Sequence, residues 1–249
     1  LNTILRFQEK DELAGKASLY IMSVMEQALK TRGYCSIILA GGNTPRACYA
    51  GLTALIKERG IPLNSLYWFF GDERWVGSAH PQSNEGMARE LLFAPLGIGS
   101  EQIISWNAGN GSPLACAVRY ARLLHTFFTV KKRLPDICLL GLGADGHTAS
   151  LFPGSGVLTR HNTRVEMGKD LRTTTAAVIL PDNRTYRLTL TPRFINKSKH
   201  IIFLIQGRDK AAAFTRVRNG DQSMPAAWIK GKNLLYFIDD EALAEAPLP

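Results

Sequence analysis

Five helix-length amphipathic stretches interleave with seven short apolar runs, and that interleaving constrains the fold more than any other feature of the chain. The helical stretches cover residues 10–30, 45–59, 83–93, 113–130 and 208–218. The runs 35–40, 66–70, 136–140, 176–180, 186–191, 199–206 and 234–238 read as strands, because most are rich in β-branched or aromatic residues and bounded by Gly or Pro. Continuous apolarity, rather than alternation, marks strands buried on both faces. The pattern therefore predicts an α/β fold: a mainly parallel sheet with helices on both faces. No linker-like composition and no internal repeat divides the 249 residues, so one domain over 1–249 is expected. The irregular stretch 153–175 is left over as a candidate small subdomain.

Composition removes several classes of function. The longest apolar run, Ile201-Ile-Phe-Leu-Ile205, is far short of the ~20 residues that a membrane span needs, and nothing reads as a signal peptide. Cys35, Cys48, Cys116 and Cys138 lie far apart without a C-x-x-C pair, which predicts buried free thiols in a reducing compartment; a soluble, cytoplasmic protein is the expectation. The net charge of +9 invites a nucleic-acid partner, yet the cations are scattered singly apart from Lys131-Lys-Arg133, and no recognition-helix or RNA-binding pattern accompanies them. An anionic small molecule steered into a cationic cleft accounts for the excess equally well. His80, His125, His161 and His200 are dispersed without metal spacing, so no metal site is expected. A G-x-S-x-G elbow is absent as well.

In open parallel sheets, ligands bind beyond the carboxyl ends of the strands. Three unusual segments stand there. In Ala40-Gly-Gly-Asn-Thr-Pro45, Asn43 or Thr44 is a natural N-cap with Pro behind it. The same helix start is an anion site, in which Gly41 and Gly42 let a phosphate approach the backbone and Thr44 adds a donor; both readings fit. In Gly71-Asp-Glu-Arg-Trp75, Arg74 either pairs with Asp72 or Glu73 or offers its fork to a phosphate or carboxylate. The third, Gly141-Leu-Gly-Ala-Asp-Gly-His147, matches the dinucleotide fingerprint in spacing only: Pro153 and Gly154 stop the required helix, and Asp145 would repel a pyrophosphate. Its glycines instead suit a tight loop presenting Asp145 and His147. A positioned imidazole, with a reference pKa near ~6.5, is a competent base at neutral pH, whereas an isolated one more often caps a loop or completes a core. Lys210, at a helix start where a cation opposes the dipole, points to a nearby anion or to simple solvation.

Taken together, Ala40-Gly-Gly-Asn-Thr-Pro45, Gly71-Asp-Glu-Arg74 with Ser83-Asn84, and Gly141-Leu-Gly-Ala-Asp-Gly-His-Thr-Ala-Ser-Leu-Phe-Pro-Gly154 resemble the 6-phosphogluconolactonases, of the glucosamine-6-phosphate isomerase/6-phosphogluconolactonase family. The resemblance runs from the first helix to Pro225-Ala226. It implies a Rossmann-like fold and hydrolysis of 6-phospho-D-glucono-1,5-lactone to 6-phosphogluconate in the oxidative pentose phosphate pathway, with no required cofactor. It also implies that His147 is the general base with Asp145 as its acidic neighbour, that Gly41, Gly42, Asn43 and Thr44 contact the phosphate, and that Arg74 contacts substrate. Arg187 and Lys210 match substrate-binding positions of similar type.

The related glucosamine-6-phosphate deaminases share the Asp-Gly-His core, but they carry a glutamate where this chain has Phe152 and Asp-Glu-Tyr where it has Asp72-Glu73-Arg74. Both differences favour the lactonases. A non-catalytic sugar-phosphate-binding protein is a third reading. Asn43 replaces the family's usual serine, and the run Pro181-Asp-Asn-Arg-Thr-Tyr186 replaces a more proline-rich approach to Arg187. The chain carries no signal of its oligomeric state.

Overall fold

The computed structural model describes residues 2–154, 174–180 and 185–244. The chain opens with β1 (Thr3–Phe7), α1 (Lys10–Arg32), β2 (Cys35–Leu39), α2 (Thr44–Glu58), β3 (Leu66–Phe70) and β4 (Asp72–Arg74). It continues through α3 (Asn84–Ala88), a π-helical turn (Arg89–Phe93), α4 (Ala94–Leu96), α5 (Pro113–Val130) and β5 (Ile137–Leu140). The remaining elements are β6 (Thr175–Ile179), β7 (Tyr186–Leu190), α6 (Pro192–Ile195), β8 (His200–Ile205), α7 (Ala211–Arg218), β9 (Asn233–Asp239) and α8 (Asp240–Leu243). The candidate subdomain at 153–175 falls mostly outside the described residues.

Six strands form a wholly parallel sheet in the order β1-β9-β8-β5-β2-β3, with helices packed against it. This is the Rossmann-like α/β arrangement. Every residue of β2 and β5 is buried, and β3 and β8 each expose one residue only in part, which is why their sequences are apolar throughout. Trp68, Phe69, Phe70 and Phe203 fill the centre of the core. The chain passes from β2 to β3 on one side and later returns to β5 on the other. The sheet's switch point thus lies between β2 and β5, where this fold opens a crevice at the carboxyl ends.

Four elements differ from the sequence expectation. The run around Ala176 (β6) and the run from Tyr186 (β7) leave the parallel sheet for a separate antiparallel sheet, β4-β7-β6, in which β7 pairs with both β4 and β6. Strand β4 consists of Asp72, Glu73 and Arg74, charges that propensity assigns to a loop; pairing with Thr189, Leu188 and Arg187 supplies their backbone partners. Edge strand β1 has mostly exposed positions, so it carries little apolar signal. At the opposite end of the sheet from the crevice, Asp136 is buried and receives Arg32 at 2.7 Å, Lys199 Nζ at 2.8 Å and both the backbone N–H and hydroxyl of Ser36 at 3.0 Å. All four cysteines are free and buried.

Candidate active site

A cleft of about 450 Å³ lies along the carboxyl edge of the sheet, within the usual range for small-molecule sites. Its wall takes Gly41, Gly42, Asn43 and Thr44 from the loop after β2, Asp72 and Arg74 from β4, His147 from the loop after β5, and Lys210 from the turn after β8. The three sequence segments therefore converge on one cavity.

His147 is fixed from its backbone outward. Thr148 Oγ1 donates to the Gly141 carbonyl at 2.8 Å and Gly143 N–H to the His147 carbonyl at 2.8 Å, which closes the loop on itself. Asp145 Oδ1 accepts the His147 backbone N–H at 3.0 Å and lies 2.5 Å from His147 Nδ1. Burial pushes the Asp145 carboxyl up, but the backbone N–H, the charge and the ring N–H of His147 outweigh it and hold the group below its usual range. The Phe152 ring lies 4.7 Å from the imidazole, centroid to centroid. Asp145 itself does not line the cleft; it reaches the site only through His147. Gly143 is required for a close approach: a methyl carbon there would overlap Nδ1 and Cε1 of the imidazole and lie 2.7 Å from Asp145 Oδ1.

The acidic segment is wired inward. Asp72 accepts Ser150 Oγ at 2.7 Å and Asn84 Nδ2 at 3.0 Å; burial pushes its carboxyl up, against the Ser150 hydroxyl and the charges of Arg74, His147 and Arg187. Glu73 accepts the backbone N–H groups of Arg74, Asn84 and Glu85 at 2.8 Å each, with Ser83 Oγ at 3.1 Å; burial pushes it up to about 7 against those donors. It clamps the start of α3. With both carboxylates engaged elsewhere, the ion pair that is one of the two readings of Arg74 is not formed. Its guanidinium donates to the Gln82 carbonyl at 2.7 Å and faces the cleft. Arg187 sits opposite Arg74 in the β4–β7 register and is not among the described residues lining the cleft.

The glycine loop also departs from expectation. Asn43 occupies the N-cap position of α2, yet its backbone is already helical and its side chain makes no capping bond. Both glycines have structural reasons of their own. A methyl on Gly41 would overlap the Asn84 side-chain amide, and Gly42 has a φ of 99°. The positive end of α2 still faces the cleft.

Among the described residues no group of three His, Cys, Asp or Glu side chains is placed to hold a metal, and no helix is long and apolar enough to cross a membrane. Residues 8–237 match the family model described as glucosamine-6-phosphate isomerases/6-phosphogluconolactonase. The chain belongs to this family. A 6-phosphogluconolactonase from a Nostoc species is 30% identical over 250 residues, covering 98% of each chain, and one from a Synechocystis species is 32% identical over 240 residues, covering 94% of this chain and 93% of its own. The crystal structure of 6-phosphogluconolactonase from Thermotoga maritima superposes with a TM-score of 0.79 at 26% identity, over 96% of this chain and all of that one. A monomeric glucosamine-6-phosphate deaminase shares the fold equally well, with a TM-score of 0.79, at 22% identity over 98% of this chain and all of its own.

Within this family's fold, sequence reasoning missed two parts of the cleft wall. Lys10, the first residue of α1, lines it from the edge of the sheet. Asp72 lines it too, held by Ser150 and Asn84. Both partners stood within the motif strings, but nothing in the strings told that they serve Asp72.

Proposed function

We propose that this chain is a 6-phosphogluconolactonase that hydrolyses 6-phospho-D-glucono-1,5-lactone, with His147 as the general base. One observation carries the reading: an imidazole whose Nδ1 is engaged by a carboxylate at 2.5 Å stands in the wall of the same cleft as a glycine-rich helix start and three cations, Lys10, Arg74 and Lys210. Donation of Nδ1–H to Asp145 leaves Nε2 as the basic nitrogen. The phosphate docks at the start of α2, on the backbone of residues 41–44, with Lys210 adding charge. The lactone carbonyl then lies towards His147. Nε2 takes a proton from water as the water oxygen attacks the carbonyl carbon. The guanidinium of Arg74 stabilises the oxyanion, and Arg187, across the strand pair, adds positive potential behind it. Collapse of the tetrahedral intermediate breaks the bond to the ring oxygen, which leaves with the proton held on Nε2. Water is the only co-reactant, so no cofactor enters the balance.

The family membership and the lactonase relatives support the substrate. The packing of Phe152 against His147, where a glutamate would be needed for the deaminase pattern, also favours the lactone reaction. The test is the catalysed rate above spontaneous ring opening. His147→Ala should lose on the order of 10²–10⁴-fold in kcat, the scale of a positioned base. Wild-type acceleration in that variant, or release of ammonia from glucosamine 6-phosphate by the wild type, would refute the reading.

A further inference from the structure

The cleft wall follows the strand order: Arg74 beyond β3, the glycine loop after β2, His147 after β5, then Gln206, Gly207, Asp209 and Lys210 after β8. Lys10 stands at the far end, where edge strand β1 gives way to α1. Its backbone carbonyl accepts Gln206 Nε2 at 3.1 Å, which ties the start of α1 to the cleft wall. Its side chain is 60% exposed and pairs with Glu241 Oε2 at 3.6 Å, from a side chain that is itself 58% exposed. Exposed pairs of that length contribute little. Lys210, by contrast, holds Asp209 Oδ2 at 2.7 Å and is three-quarters buried.

Each of the two lysines at this end of the cleft thus has one carboxylate partner. A dianionic group arriving there must draw at least one cation off its carboxylate, and Lys10 has the longer and wetter pair to give up. The position is also unfavourable for the helix alone, since a cation in the first turn of α1 opposes the dipole that Asp11 and Glu12 satisfy. We propose that Lys10 is a specificity-determining cation for the phosphate: it moves from Glu241 onto the phosphate of the bound substrate, beside Lys210, and Glu241 sets how readily it does so. The proposal rests on reading the cleft as a phosphosugar lactone site.

Steady-state hydrolysis of 6-phosphogluconolactone, corrected for spontaneous opening, and calorimetric titration with 6-phosphogluconate test it together. Lys10→Ala should raise KM and the product dissociation constant roughly three- to tenfold, the scale of one partly screened contact with a dianion, while kcat stays within about twofold. Lys10→Arg should restore most of the loss. Glu241→Gln should tighten binding, and should do nothing in the Lys10→Ala background. Unchanged KM and affinity in Lys10→Ala, or an effect of Glu241→Gln that persists without Lys10, overturns the proposal. If the wild type shows no lactonase activity the functional reading fails by itself; the titration still decides Lys10, and equal binding by wild type and Lys10→Ala, or binding by neither, overturns this inference as well.

Discussion

Gly143→Ala separates a positioned imidazole from one that merely resides in the cleft. Gly143 lies outside the left-handed region, so alanine meets no backbone penalty there. The added methyl instead falls on the ring of His147, overlapping Nδ1 and Cε1, and reaches Asp145 Oδ1 at 2.7 Å. Ordinary carbon contacts need about 3.5–4 Å, so the ring must move by roughly an ångström or more. The imidazole side chain is 34% exposed and can swing outward, which spares the core and keeps the stability cost under about 1 kcal/mol. Catalysis is less forgiving: a misplacement of about 1 Å costs on the order of 10²-fold in rate. We therefore expect kcat to fall by about 10², with KM within roughly threefold, because the loop proposed to hold the phosphate is built on β2 and not on this turn. Near-UV circular dichroism and thermal unfolding check the fold, and steady-state lactone hydrolysis reads the effect. The double variant with His147→Ala should be no slower than His147→Ala alone. A Gly143→Ala enzyme within threefold of wild-type kcat, or one that slows the His147→Ala background further, would refute the positioning argument.

Three further perturbations test the scaffold. Gly41→Ala drives a methyl into the Asn84 amide that holds Asp72, and should cost about 2 kcal/mol in urea unfolding, whereas Gly141→Ala, with open space at its Cβ, should be nearly neutral. Asp136→Ala strands Arg32 and Lys199 around a buried site and should cost about 3 kcal/mol by the same assay; because Asp136 precedes β5 while the cleft follows it, kcat of the folded fraction should be unchanged. Burial lowers the pKa of His200, which lies 2.9 Å from the Tyr20 hydroxyl. A base with a depressed folded pKa contributes stability that is present above the unfolded value near ~6.5 and lost as pH falls below it, so His200→Gln should flatten that part of the stability–pH profile. An unchanged slope would assign the acid limb to other groups.

How far the sequence carried the fold depended on whether a segment's partners were local. Helices α1, α2 and α5 and the strands β2, β3, β5 and β8 were legible because their burial is uniform along one face or along both, so periodicity reports it directly. Strand β4 was not, since Asp72, Glu73 and Arg74 become a strand only when β7, more than 110 residues later, supplies the ladder. The candidate site divides the same way. The residues His147, Asp145, Gly41, Gly42, Asn43, Thr44, Arg74 and Lys210 are named by short strings after strands, and the parallel sheet brings them together because all its carboxyl ends share one edge.

What strings could not express is the reason for each residue type. The spacing of Gly141, Gly143 and Gly146 suggested a turn requirement, yet the glycine at 143 is needed for the side chain of His147 rather than for its own backbone. Likewise the first glycine of the loop after β2 makes room for Asn84, a residue 43 positions away, and thereby couples that loop to the carboxylate of Asp72. Loop, amide and carboxylate form one packed unit. A substitution at any of the three is therefore expected to disturb the other two, and a site that looks like three separate motifs in the sequence should respond to mutation as a single cooperative assembly.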